Sequence, residues 1–306
     1  MVFNNFNNWF KWSYNNVLYS KRESNNDVYN YHIDLTNVED FKLSYHDALK
    51  KNSQYMRDQY SEPFDVLLSG GIDSEVVVRS FKMAGITHNT YIFKYEDDLN
   101  LRDVNSAIDI CKNLNINYKI INFNLKKFFE NDALEVFEKS KCIRAARLTH
   151  LKFTDLVDNI PVMGEAEPYW KRVEGKDYSK KSKWLFPLNE SNHNASMYCY
   201  HNNRSSICDW YEFHPCVIKA YNKLPLVRSL INDELPGKLS NWTSRISIHK
   251  EIWPYIENKI KLTGYEGSGF PGQQPDYMNR MQDYIISKIG TGTEYWLTDC
   301  ELQFIF

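Results

Sequence analysis

The spacing of apolar and polar positions changes character along the chain. Residues 1–30 are rich in Asn, Tyr and Trp and show no clear period. They read as a surface-laid N-terminal segment with a short hairpin, followed by a strand over 29–35. Helical spacing runs from 37 to 60, with Phe41, Ala48, Tyr55 and Met56 as its apolar positions. Residues 66–68 then form a short apolar run of buried-strand type, introduced by Pro63. Further on, the pattern predicts a helix over 74–83 stopped by Gly85, a strand over 88–95 and a helix over 100–113. Val104, Ala107, Ile108 and Cys111 share one face of that last helix. A strand over 117–123, helices over 128–137 and 142–157 and a strand over 160–163 complete this part.

Strands that alternate with helices of this length imply a parallel sheet covered on both faces. Ligands in such sheets gather beyond the carboxyl ends of the strands. Ser69 and Gly164 both follow strands, so both are expected to face one crevice. From about residue 196 the pattern is helical, over 217–221, 226–231, 246–260 and 277–289, with a Gly/Pro-rich loop at 264–275 and a tail at 295–306. The predicted fold is α/β, a doubly wound parallel sheet with a mainly helical C-terminal part. The expected division is an N-terminal segment over 1–60, an α/β core over 61–170, and a flap with substrate-side helices over 171–306.

Composition narrows the function classes. The net charge of −2 supplies no global basic field, so nucleic acid is not indicated as a partner. No run of about 18 apolar residues occurs, so no membrane span is expected. The first residues lack the charged and apolar regions of a secretory signal. Six cysteines in 306 residues are too few for a disulfide framework, and a reducing cytoplasm is the expected compartment. Residues 171–183 carry Lys171, Arg172, Lys176, Lys180, Lys181 and Lys183 against Glu174 and Asp177. They read either as a solvated loop or as a mobile flap that meets an anionic substrate.

The chemistry centres on Ser69-Gly70-Gly71-Ile72-Asp73-Ser74, between the apolar run and the helix that follows. Adjacent glycines let the backbone turn and approach a ligand without a Cβ clash. The loop delivers backbone N–H groups and the positive end of a helix to one point, which suits a phosphate. Ser69 and Ser74 add hydroxyl donors. Asp73 would repel phosphates on its own, and makes sense if Mg²⁺ lies between the two.

This loop resembles the pyrophosphate loop of the ATP pyrophosphatases, which include asparagine, β-lactam, GMP and NAD synthetases and tRNA-thiolating enzymes. It lacks the Gly-Lys ending of the usual P-loop. The resemblance implies cleavage of ATP between the α- and β-phosphates, with AMP passed to a substrate oxygen. It extends, most closely to the synthetase domain of asparagine synthetase, through Asp103-Val-Asn-Ser-Ala107, Cys142-Ile-Arg-Ala-Ala-Arg147 and Met163-Gly164-Glu165-Ala166-Glu167. Weaker echoes lie in Glu212-Phe-His-Pro215 and around Lys250.

What the resemblance implies for individual residues is specific. Ser69, Gly70, Gly71 and Ser74 would hold the pyrophosphate. Asp73 and one of Glu165 or Glu167 would bind Mg²⁺, with Glu167 the metal carboxylate by family position and Glu165 the acid–base residue. Arg144 would pair with phosphate oxygens, and Lys250 would stabilise developing charge. Leu68, Phe93 and Gly164 would line the nucleotide site. The acidic motif is one or two residues shorter than in asparagine synthetase. Position 2 is Val2 rather than that enzyme's cysteine, and the stretch before the loop is too short for its glutaminase domain. Nitrogen is therefore expected from free ammonia, from an amine, from within a small-molecule or nucleotide-like substrate, or from a separate donor chain.

Cys199, His201, Cys208, His214 and Cys216 cluster in sequence, at a spacing that fits no standard zinc motif. No Cys-x-x-Cys occurs, which disfavours the thiolating members. The expected activity is an ATP-dependent, AMP-forming ligase that adenylates a carboxylate or amide oxygen for attack by a nitrogen nucleophile. The alternatives are a sulfur-transfer or nucleobase-modifying enzyme of the same superfamily, and a nucleotide-binding protein without turnover.

Overall fold

The computed structural model describes residues 42–140, 142–165, 168, 195, 198–199, 202–208, 210–231, 241–256 and 274–289, with strands at 10–14, 17–19, 30–33, 171–173, 183–185, 187–189 and 297–299. The first strands, β1 (Phe10–Tyr14), β2 (Val17–Tyr19) and β3 (Asn30–Ile33), form an antiparallel sheet in the order β2-β1-β3. The hairpin expected near the start is therefore β1–β2, and the strand expected over 29–35 is β3.

The core follows as α1 (Tyr45–Gln59), β4 (Phe64–Leu67), α2 (Ile72–Ala84), β5 (Asn89–Tyr95), α3 (Leu101–Leu114) and β6 (Lys119–Phe123). Next come α4 (Leu125–Asn131), α5 (Ala133–Ser140), α6 (Ala145–Thr154) and β7 (Ile160–Val162). Beyond them lie β8 (Lys171–Val173), β9 (Lys183–Leu185), β10 (Pro187–Asn189), α7 (Cys216–Asn222), α8 (Pro225–Ile231), α9 (Asn241–Ile252), α10 (Asp276–Ile289) and β11 (Leu297–Asp299).

The central sheet is parallel throughout, in the order β6-β5-β4-β7. The chain runs outward from β4 to β6, then returns to lay β7 on the other side of β4. That reversal is a topological switch point, and it opens a crevice between the carboxyl ends of β4 and β7. Alternation along the strands sorts the core into two layers. Phe64, Val66, Leu68 and Ile92 join one cluster with residues of α1, α2, α3 and α7. Leu67, Tyr91, Phe93 and Tyr95 join another with residues of α4, α5, α6 and α10. Both faces of β4 are thus covered, which explains its unbroken buried run.

Two polar anchors fix the strand register at the edge away from the crevice. The buried Asp65 carboxylate accepts from Asn89 Nδ2 (2.7 Å), Asn159 N (2.8 Å) and Asn159 Nδ2 (3.0 Å), so β4 is tied to β5 and to the turn before β7. Arg204 donates to the carbonyls of Thr154, Val157 (2.7 Å) and Asn159 (3.2 Å), stapling the end of α6 to the same turn. A third tie joins α9 to α2. Arg79 donates to Glu75 Oε1 through Nε (2.9 Å) and Nη2 (2.6 Å), and its guanidinium lies 5.7 Å from the Trp253 ring and 5.5 Å from the Tyr255 ring. Cation–π contact of this kind holds the segment after α9 on the loop-bearing helix.

Several element boundaries differ from the sequence reading, each for a local reason. Gly85 stops α2 as expected, in the left-handed conformation (φ 69°) with its N–H bonded to Lys82 O. The helix expected over 128–137 is two helices, because α4 ends at Asp132, whose N–H bonds to Phe128 O, and α5 restarts at Ala133. The helix expected from 142 starts only at Ala145, where Arg144 is an extended N-cap. The basic stretch over 171–183 contains strands β8 and β9, paired antiparallel. Among the described residues no helix is long and apolar enough to cross a membrane.

Candidate functional site

Leu68 follows β4 directly, buried, with its N–H donating to Tyr91 O at 2.9 Å. The chain then turns sharply. Gly70 takes φ +77°, a left-handed conformation that a Cβ disfavours. Space forbids one as well: a Cβ there would lie 2.3 Å from Asp103 O and 3.1 Å from Ala107 N. The loop therefore presses directly on α3, through the segment 103–107. Gly71 is the N-cap of α2 and has no side chain to cover the first-turn N–H groups.

A closed ring of hydroxyls sets the loop's shape. Gly71 N–H donates to Ser69 Oγ (3.4 Å), Ser69 Oγ pairs with Ser74 Oγ (3.1 Å), and Ser74 Oγ donates to Gly71 O (3.0 Å). Ser69 N–H also reaches Ser74 Oγ, at 3.2 Å. A helix start with backbone N–H groups aimed outward is a ready-made anion site.

The opposite wall is the loop after β7. Gly164 lies so close to the first turn of α2 that a Cβ on it would sit 2.7 Å from Asp73 O and 3.0 Å from Ser74 N. Glu165 follows immediately. Its side chain is 14% exposed, with Oε2 at 3.6 Å from Arg147 Nη1 and Oε1 at 3.7 Å from His150 Nδ1. Arg147 and His150 stand one turn apart on α6. Asp73 contributes a carboxylate whose Oδ1 is buried.

The structure thus brings Leu68, Ser69, Gly70, Gly71, Asp73, Ser74, Gly164 and Glu165 to one crevice. Glu167 lies outside the described residues. Arg144 is exposed at the start of α6, and the arginine that faces Glu165 is Arg147. Lys250 is exposed in the last turn of α9, next to the buried His249. Phe93 is buried, its ring stacked on Phe153 (3.9 Å between centroids, 6° between planes), and its carbonyl accepts from Asn100 Nδ2 at 2.9 Å. Arg147, His150, Ser106 and Tyr211 are contributors that the sequence reading did not single out. Arg147 ends a quoted segment, and Ser106 lies inside another. Tyr211 carries no local signal.

The carboxyl edge also carries a depression of about 480 Å³ beside the ends of β5 and β6. Two of its acids, Glu96 and Asp98, are already committed. Glu96 accepts from the N–H groups of Leu125 (2.6 Å) and Lys126 (2.9 Å), and Asp98 pairs with Lys94 at 2.6 Å.

The Cys/His cluster seen in sequence separates in space. Cys199 and Cys208 lie in the layer with α6 and α10, whereas Cys216 lies in the other, against Ala48 O. His201 lies outside the described residues. No group of three or more metal-ligating side chains occurs among the described residues. All five described cysteines are buried. Burial pushes the thiols of Cys111 and Cys142 up to about 11 and that of Cys216 up to about 12. Such thiols are poor nucleophiles, whereas the buried Cys199 thiol is pushed down, chiefly by its hydrogen bond with Cys208.

The donor set suits Mg²⁺ with a phosphate ligand. That ion keeps several waters and takes one or two carboxylates plus substrate phosphates, rather than a full protein cage. Asp73 and the loop of Glu165 supply such carboxylates beside an uncovered helix start.

One family model matches part of the chain. Residues 65–152 match the family model of the queuosine biosynthesis protein QueC. No curated relative matches the sequence. Among solved structures, NMN synthetase from Francisella tularensis is similar at 13% identity and TM-score 0.32, covering 83% of this chain and 96% of that one. The NH3-dependent NAD synthetase from Campylobacter jejuni, in complex with the nitrate ion, is similar at 12% identity and TM-score 0.30, covering 82% of this chain and 97% of that one. The stretch from β4 into α6 is thus similar in sequence to QueC, which supports a PP-loop core of the ATP pyrophosphatase type.

Proposed function

We propose that this chain is an ATP-dependent synthetase that cleaves ATP to AMP and pyrophosphate. It adenylates a carboxylate or amide oxygen of a small-molecule or nucleotide-like acceptor, which a nitrogen nucleophile then attacks. The observation that carries this reading is the contact of Gly164 with the backbone of Asp73. It joins an anion-binding helix start and a glutamate loop in one crevice.

The chain's own groups divide the work. N–H groups at Gly70 and the first turn of α2, joined by that of Gly71 when it leaves its 3.4 Å bond to Ser69 Oγ, receive the β- and γ-phosphates, and the hydroxyls of Ser69 and Ser74 fix that turn. Asp73 and a carboxylate of the acidic loop, Glu165 or Glu167, hold Mg²⁺, which offsets the charge of the leaving pyrophosphate. Arg147 and His150 orient Glu165. Lys250 is the candidate for charge that develops on the acceptor side, and Leu68 and Phe93 flank the adenine. Ammonia or an amine, free or supplied by a separate chain, is the nitrogen source.

A second reading, a nucleobase-modifying enzyme with the same ATP chemistry, is favoured by the match to a family of queuosine biosynthesis. The absence of a Cys-x-x-Cys motif weighs against a sulfur-transfer version.

The test is product identity. The protein is incubated with ATP, Mg²⁺, ammonium and pools of carboxylic acids, amides and nucleobase-like acceptors. AMP with pyrophosphate supports the synthetase reading, and ADP refutes it. AMP formed only with nucleobase-like acceptors selects the second reading. Tight ATP binding without product across all pools points instead to a nucleotide-binding protein.

A further inference from the structure

A loop that presents N–H groups to an anion must turn its carbonyls the other way, and those carbonyls need donors. Hydroxyl groups on different elements supply them here. Ser106 Oγ on α3 donates to Gly70 O at 2.9 Å. Ser74 Oγ on α2 donates to Gly71 O at 3.0 Å. The hydroxyl of Tyr211, in the short helical turn Trp210–Glu212, donates to Asp73 O at 3.3 Å.

The donors outside the loop sit on rigid supports. Ser106 belongs to the stretch of α3 that presses on Gly70. Tyr211 is fully buried, edge-on to Trp210 at 4.9 Å and 85°. Asn52 Nδ2 of α1 in turn donates to Trp210 O at 2.8 Å. The Tyr211 hydroxyl is therefore delivered from α1 through a packed turn, and neither donor depends on a ligand for its place.

We propose that Ser106 and Tyr211 are positioning residues for the anion-binding loop. The Ser106 hydroxyl holds the Gly70 carbonyl turned back, and the Tyr211 hydroxyl pins the first turn of α2 at Asp73 O, so that the N–H groups of Gly70 and of residues 72–74 already face the crevice before a phosphate arrives. The inference rests on the reading of this loop as a pyrophosphate site and extends it to residues that touch no ligand. Pre-set dipoles of this kind avoid reorganisation on binding.

The test uses Ser106→Ala, Tyr211→Phe, their combination, and Ser106→Thr in the full chain. Both deletions remove a hydroxyl and leave the packing volume nearly intact. Backbone ¹⁵N order parameters over 70–74, binding of inorganic pyrophosphate and of Mg·ATP by calorimetry, and thermal unfolding are measured together. Loss of one such hydrogen bond corresponds to roughly a 3- to 10-fold change. The dissociation constant for pyrophosphate should rise by that factor per deletion, and the order parameters of the loop should fall. The melting temperature should hold within about 2 °C, and Ser106→Thr should behave as wild type. Unchanged loop order parameters in the double variant would overturn the proposal. So would order parameters that fall equally throughout α2 and α3 together with a fallen melting temperature, since that marks a general packing role. If the loop alone loosens but neither wild type nor variant binds pyrophosphate or ATP, the positioning role stands and the pyrophosphate reading falls.

Discussion

Gly164 and Asp73 touch across the crevice, and the contact leaves no room for a methyl group. A Cβ on Gly164 would lie 2.7 Å from Asp73 O and 2.8 Å from Asp73 C, backbone atoms that cannot rotate away. Gly164→Ala should push the glutamate loop off α2 at a cost of about 1–3 kcal/mol. The expected outcome is a large loss of Mg·ATP affinity with a smaller loss of global stability, measured by calorimetry and urea unfolding.

Gly70 faces two constraints at once, a left-handed φ of +77° and the 2.3 Å approach to Asp103 O. Gly70→Ala should cost about 1–2 kcal/mol for the backbone alone, with the clash against α3 added. Pyrophosphate binding should vanish in this variant. Gly85→Ala is the control, because that glycine has the same hand (φ +69°) with nothing within 4 Å. It should lower stability modestly and leave ligand affinity unchanged.

Asp65 lies at the end of β4 remote from the crevice and accepts hydrogen bonds from Asn89 and Asn159. Asp65→Leu would take the shared acceptor from those half-exposed donors, at a cost of about 1–3 kcal/mol. The urea midpoint should fall accordingly, while activity per folded molecule stays the same. Asp65→Asn keeps one acceptor oxygen and should fall less.

His214 gives the fold an acid limit. Burial, reinforced by the charge of Lys51, pushes its pKa down to about 4 from an ordinary value of 6.5. Cys216 N–H donates to His214 Nδ1 at 3.2 Å, a bond that requires that nitrogen to be unprotonated. The unfolded chain binds this proton more readily than the folded one. Stability from His214 is therefore complete above about pH 6.5 and is lost as pH falls toward 4. His88, also lowered by burial, acts in the same direction. His214→Gln keeps an acceptor without a titrating ring. Its unfolding free energy should depend on pH less steeply in that window, by up to one proton.

The crevice was legible in sequence because its signals are local. An apolar run, two glycines and a helix start within a dozen residues place β4, the loop and α2 without any long-range knowledge. The second wall followed from the same strand-then-glycine signal at Gly164. Long-range contacts were not legible. Tyr211 reaches Asp73 across 138 positions, with no pattern to mark it. The ion pair of Arg147 with Glu165 was not legible either, because it joins α6 to the loop after β7, whereas Arg144, read as a phosphate partner, is the extended N-cap of α6. The Cys/His cluster, whose spacing fits no standard zinc motif, is divided by a fold that sends Cys199 and Cys216 to different sides of the sheet.

The central claim is that Asp73 and the glutamate loop grip one divalent ion on one nucleotide. Binding of Mn²⁺ in the presence of a non-hydrolysable ATP analogue, followed by electron paramagnetic resonance, tests it through a double-mutant cycle of Asp73→Asn with Glu165→Gln and with Glu167→Gln. Ligands of a shared ion are coupled, so the account predicts that one of the double variants binds Mn²⁺ no more weakly than its weaker single variant. Strictly additive losses in both cycles, or unchanged Mn²⁺ binding in Asp73→Asn, would contradict it.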